Sequence, residues 1–164
     1  MNLQHALSKS ILAATLALAA LPGPRAEPGA IGPGSQHLEG AWSGTSTSTV
    51  NAGSGVPPST QPFHTTFHRD GTLLFVPSSP AQSVGVGEWV RIGDRQFAYT
   101  HTRFAFDENR RVSGMIRVRA TLQLHEGMQT LSGQLKADIL DTSGGVLRTA
   151  EGTFQARRLP IEAS

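Results

Sequence analysis

Tyr99, His101 and Arg103 alternate along the stretch Gln96 to Phe106, and alternate residues of a β-strand share a face. A phenol, an imidazole and a guanidinium on one face could move a proton and steady an anion. His101 or Tyr99 would be the carrier, and Arg103 or the nearby Arg91 the stabiliser. Trp89 and Arg91 form a second same-face pair one stretch earlier. Which residues they join depends on the turn between the stretches, Gly93-Asp94-Arg95. A two-residue hairpin at Gly93-Asp94 puts them with Ala98, Thr100, Thr102, Phe104 and Phe106. A one-residue change puts them with Tyr99, His101 and Arg103 instead. The first register keeps apolar faces together and is the one expected. Trp89, Phe104 and Phe106 then offer apolar area to a ligand, with Thr102 facing inward beside them. Arg91 either fixes an acid group on that ligand or stacks over Trp89 or Trp42 to close one end of the fold. Arg103, Arg117 and Arg119 form a solvated outer stripe, and the Tyr99, His101 and Arg103 set belongs to an alternative, catalytic reading.

Other chemistries are weaker. The chain has no cysteine, which excludes a thiolate nucleophile, a thiolate zinc site and a disulfide framework. His64 and His68 are four residues apart on an extended stretch, same-faced but about 13 Å separated, too far to share one ion. They read as surface histidines, and no metal or cofactor is expected. No Gly-x-Ser-x-Gly, Walker or dinucleotide fingerprint is present.

The first 26 residues read as an address. Lys9 precedes the apolar run Ile11 to Leu21, and small residues follow. That is the pattern of a secretory signal peptide, cleaved after Ala20 or Ala26. Eleven apolar residues span about 16 Å as helix, against about 30 Å of bilayer core, so no membrane span is expected. The expected location is therefore the periplasm or the exterior. Lys9 and Arg25 belong to this segment, leaving twelve basic against twelve acidic residues in 27–164. A balanced chain gives no reason to expect nucleic acid or an anionic membrane as partner.

These residues must be positioned by strands. Charged residues are 16% of the chain, and its 18 Gly and 10 Pro favour short elements joined by turns. Residues 27–36 form a Gly/Pro-rich linker, 37–160 a single domain and 161–164 a tail. Within the domain, no window has a helical period, and eight strands are expected: Leu38 to Val50, Phe63 to His68, Thr72 to Val76, Val84 to Ile92, Gln96 to Phe106, Val112 to Leu124, Thr130 to Leu140 and Val146 to Arg158. The connections suit antiparallel neighbours. Ile116, Val118, Ala120, Leu122 and Leu124 share one face of the sixth strand. Pairing Leu124 with Leu131 brings Leu122 opposite Gly133 and Ala120 opposite Leu135. The expected fold is all-β, an eight-stranded antiparallel up-and-down barrel, with a two-layer β-sandwich as the alternative. Small inward positions (Gly114, Ala120, Gly133, Ala137, Gly152) are expected to leave a modest cavity.

Leu38-Glu39-Gly40-Ala41-Trp42 opens the first strand with a Gly-x-Trp, and Gly87-Glu88-Trp89 repeats the spacing on the fourth. With the strand count, this resembles the lipocalin and avidin-type (calycin-like) barrels. The resemblance implies that Gly40 and Trp42 plug one barrel end, and that a second aromatic-bearing hairpin helps line the cavity. It covers the strand count and one tripeptide. The family's C-terminal helix has no counterpart after the eighth strand, and no equivalent of the avidin biotin set is found, so ligand identity does not transfer.

The leading expectation is thus non-catalytic binding of a small, mainly apolar ligand. A barrel enzyme of isomerase or cyclase type, acting on a hydrophobic substrate, is the alternative from another class. A filled scaffold that works as an inhibitor or protein-interaction module is the third.

Overall fold

A computed structural model describes residues 38–50 and 57–160. The runs 1–37, with the apolar segment read as a signal peptide and the linker, and 161–164, the tail, lie outside the described residues. Eight strands follow one another: β1 Gly40–Val50, β2 Ser59–Phe67, β3 Thr72–Pro77, β4 Gly85–Gly93, β5 Gln96–Phe106, β6 Val112–Leu124, β7 Thr130–Leu140 and β8 Val146–Arg158. Each pairs antiparallel with the next, and β1 pairs with β8, so the sheet is a closed barrel. Closure excludes the sandwich. It also gives every strand a neighbour on both sides, so that the sheet has no edge strand.

Alternation decides what points inward. Leu131 pairs with Leu124, Gly133 with Leu122 and Leu135 with Ala120, so the apolar faces of β6 and β7 coincide as their sequences require. Trp42, Phe63, Phe67, Leu73, Phe75 and Phe97 add the bulk of the core. The barrel's middle is filled by rings: Phe63 stacks on Phe75 at 5.2 Å, and Tyr99 meets Phe67 and Phe154 edge-on at 6.0 and 5.9 Å. Such contacts contribute about 0.5–1.5 kcal/mol each beyond simple burial.

The inward glycines do not create the room expected of them. A Cβ on Gly133 would lie 2.4 Å from the Phe154 ring, on Gly152 2.1 Å from the Thr47 carbonyl, and on Gly114 2.1 Å from the Leu140 carbonyl. These are places where a neighbouring strand or ring already occupies the side-chain position. They let the sheet bend tightly enough to close.

The turn from β4 to β5 departs from the expected two-residue hairpin at Gly93-Asp94. Arg91 pairs with Phe97 and Gly93 with Gln96, leaving Ile92 as an extra residue in a β-bulge. The tight loop is Asp94-Arg95, with Arg95 at φ 53°. One inserted residue inverts every later face. Trp89 therefore stands opposite Tyr99; Phe97, Tyr99 and His101 are buried, while Phe104 turns outward and is 50% exposed.

Candidate functional site

The barrel has two unlike ends. One is sealed. Trp42 is fully buried there and donates its indole N–H to the Leu38 carbonyl at 2.9 Å. Arg158 lays its guanidinium over that indole, 4.4 Å from the ring centre, and donates to the carbonyls of Glu39 and Met128. Gly40 takes φ +117°, and a Cβ there would lie 2.7 Å from the Arg158 guanidinium. Glycine is thus the residue that admits this cation. The stacking role expected of Arg91 falls to Arg158. Arg91 itself sits at the rim, donating to Gly93 O at 2.9 Å and pairing with Asp94 at 3.3 Å. Trp89 also belongs to the sealed end, where it donates to His68 O at 2.9 Å and packs edge-on against Phe67 and Phe97.

The five residues expected to share a ligand are consequently dispersed. Trp89 and Arg91 lie at the sealed end. Thr102, Phe104 and Phe106 lie beyond the bulge on the opposite, outer face. The β-bulge at Ile92 is the physical reason.

What the fold gathers instead, toward the other end, is the set that belongs to the alternative, catalytic reading. His101 is 1% exposed. Its ring stacks on Phe75 at 4.5 Å and lies 5.9 Å from that of Tyr99. Arg103 follows on the same face, with its guanidinium 4.9 Å over the Phe75 ring and its Nε donating to Gln82 Oε1 at 2.9 Å. Gln82 arrives on the connection between β3 and β4. Phe106 N–H bonds Ala81 O, Ser83 N–H bonds Phe104 O, and Gln82 bridges Ala105. Sequence reasoning missed Gln82 and Phe75. Their approach depends on a non-local docking that no spacing along the chain announces.

Electrostatics set the states of these groups. Burial, reinforced by the charge of Arg103, pushes the His101 imidazole down to about 3, so it is neutral at pH 7. Burial holds the Tyr99 phenol well above its usual range. Burial also lowers Arg103 to about 10, still a cation at neutral pH. Arg103 Nη1 lies 3.4 Å from His101 Nε2. A guanidinium can only donate, which makes Nε2 the acceptor and places the imidazole proton on Nδ1. That Nδ1 is buried without a hydrogen-bond partner. No carboxylate among the described residues lies within ion-pair distance of Arg103. His64 and His68 are exposed on β2 and just beyond it. Among the described residues no three His, Asp or Glu converge as metal ligands.

No protein-family model and no curated protein sequence matches the chain. The closed, eight-stranded antiparallel barrel is compatible with a calycin-like fold, and no described helix is long and apolar enough to cross a membrane.

Proposed function

We propose that this is an exported, calycin-like binding barrel that holds a small acidic ligand non-catalytically. The headgroup would sit at Arg103, which is half-buried toward the unsealed end, since the Phe75 and His101 rings beside it already stack on each other and on Phe63 and Tyr99. One observation carries the reading. Arg103 is an inward cation, desolvated enough to depress its pKa, with no counter-charge among the described residues. A cation taken from water needs a hydrogen-bonded partner, and an anion from outside supplies one. The unpartnered His101 Nδ1–H is a neutral donor close by. The directions of the His101 and Tyr99 shifts favour binding over acid–base turnover, which works best with groups titrating near ambient pH. Export rests on the Lys9 and Ile11–Leu21 pattern.

The test is an NMR titration with benzoate and octanoate, using benzyl alcohol as the neutral control. Both acids, and not the alcohol, are expected to move the Arg103 Nε–H and His101 Nδ1–H resonances. Arg103→Gln should weaken acid binding by about tenfold or more, the loss of one charge-assisted interaction. Absence of any response to either acid would overturn the proposal and leave the filled scaffold.

A further inference from the structure

The outward side chains of the barrel carry most of its charge, yet one region carries none. Across five strands the register lines up two rows. Thr45 of β1 faces Gln155 of β8, then Ser132 of β7, Gln123 of β6 and Gln96 of β5. Beside it run Thr47, Thr153, Gln134 and Thr121. Together they line an open groove of about 820 Å³, with Ile92 as its exposed apolar residue. At about 4.8 Å between strands, five strands make a track of about 19 Å. Gly133 is among the residues that line it, and a Cβ there would stand 2.3 Å from the Thr121 carbonyl.

Its chemistry is specific. Amide side chains offer a donor and an acceptor from one planar group, and hydroxyls offer both from one atom. No lining residue is charged. On one flank the charges are paired among themselves, Lys136 with Glu151 at 3.1 Å and Arg119 with Asp138 at 2.5 Å; on the other, the exposed Arg157 stands one row beyond Gln155. The groove lining holds no cation for a polyanion, and its apolar residues are the exposed Ile92 and the largely buried Leu122 and Phe154. The complementary ligand is uncharged, extended, and dense in groups that both donate and accept.

We infer that this outer groove is a binding track for a neutral linear glycan, laid across β1, β8, β7, β6 and β5 and held by its Gln and Thr side chains. The track is separate from the Arg103 cluster inside the barrel and does not depend on what binds there. The wet, solvent-facing setting makes each hydrogen bond modest, so affinity in the millimolar to high-micromolar range is expected.

The experiment titrates the full ¹⁵N-labelled chain with cellohexaose, with maltohexaose and, as the charged control, with hexagalacturonate. It follows the side-chain amide resonances of Gln96, Gln123, Gln134 and Gln155. Saturable shifts of these amides with either neutral hexaose, and much smaller ones with hexagalacturonate, are expected; which hexaose responds identifies the linkage. The double variant Gln134→Ala/Gln155→Ala, with its far-UV spectrum checked against the parent, should lose about thirtyfold in affinity, two neutral hydrogen bonds of about 1 kcal/mol each. Three results overturn the inference: no shift with either neutral sugar, equal shifts with the charged one, or undiminished binding by a folded double variant. Should the double variant fail to fold, the single variant Gln134→Ala takes its place. A loss of about fivefold then supports the track, and unchanged affinity overturns it.

Discussion

His101 carries a titratable ring in a place where water does not reach, and that has a measurable cost in acid. Its folded pKa of about 3 lies below the ordinary value of 6.5. Between those two values the unfolded chain binds the extra proton and the folded one does not. The contribution is therefore whole above pH 6.5 and is lost as pH falls toward 3, with a slope of about 1.4 kcal/mol per pH unit. His101→Phe keeps a ring against Phe75 and removes the proton site. Denaturant melts at about pH 8 and about pH 5 should show the parent losing about 2 kcal/mol more than this variant. A second residue-scale outcome concerns Arg158, which covers Trp42 and serves two carbonyls. Arg158→Met should lower stability by about 2 kcal/mol, read from the urea midpoint, since it removes the cation–π contact and leaves acceptors unserved. The resemblance carried by the Gly-x-Trp implied a buried Trp42 at one barrel end, and Trp42 is fully buried. Its partner was not legible, because Arg158 meets it only once the chain has closed on itself.

At the scale of elements, the strands from β3 to β8 match their expected bounds to within one residue. The face of β5 does not match. Strand bounds are written locally, in alternation and in Asp-Gly or Gly-Asp turns, whereas the face depends on counting every residue through the turn. Ile92 is apolar and extends β4 without interruption, so nothing in its type marks it as the bulge. The clue available was consistency across the sheet: Phe97 and Tyr99 find Leu122 and Ala120 opposite them on β6. Deleting Ile92 should remove the bulge while leaving Arg91 opposite Phe97 and Trp89 opposite Tyr99, so that Phe97, Tyr99 and His101 stay inward. A near-UV aromatic signal and a cooperative melt like those of the parent are the expected outcome. The glycines separate by the same logic. Gly133→Ala should cost more than about 2 kcal/mol, because the new methyl has no space against backbone and ring. Gly127→Ala, at φ +79° with nothing within 4 Å, should cost only about 1 kcal/mol in chemical denaturation.

The whole molecule carries two surfaces of different chemistry, an inward cation among rings toward the unsealed end and an outward neutral groove that reaches Gln96 and Ile92 at the sealed one. Strand order and closure were readable because each connection is short and every half-buried strand needs a partner on both sides. The groove was not, since it arises from the register of five strands, two of which, β1 and β8, are far apart in sequence. Removing β8 by ending the chain at Gly145 should leave β1 and β7 each short of a partner. Such a chain should be aggregated or unfolded by size-exclusion chromatography rather than a smaller folded barrel. The same seam governs biogenesis. The contact between Glu39 and Arg158 spans 119 residues, and a ribosome adding about 5–20 residues per second needs on the order of ten seconds to deliver the second after the first. For all that time the nascent β1 has one hydrogen-bonding edge waiting for a strand that does not yet exist. The last strand to be made is the one that completes the barrel, so the chain reaches its native state only after synthesis has passed β8.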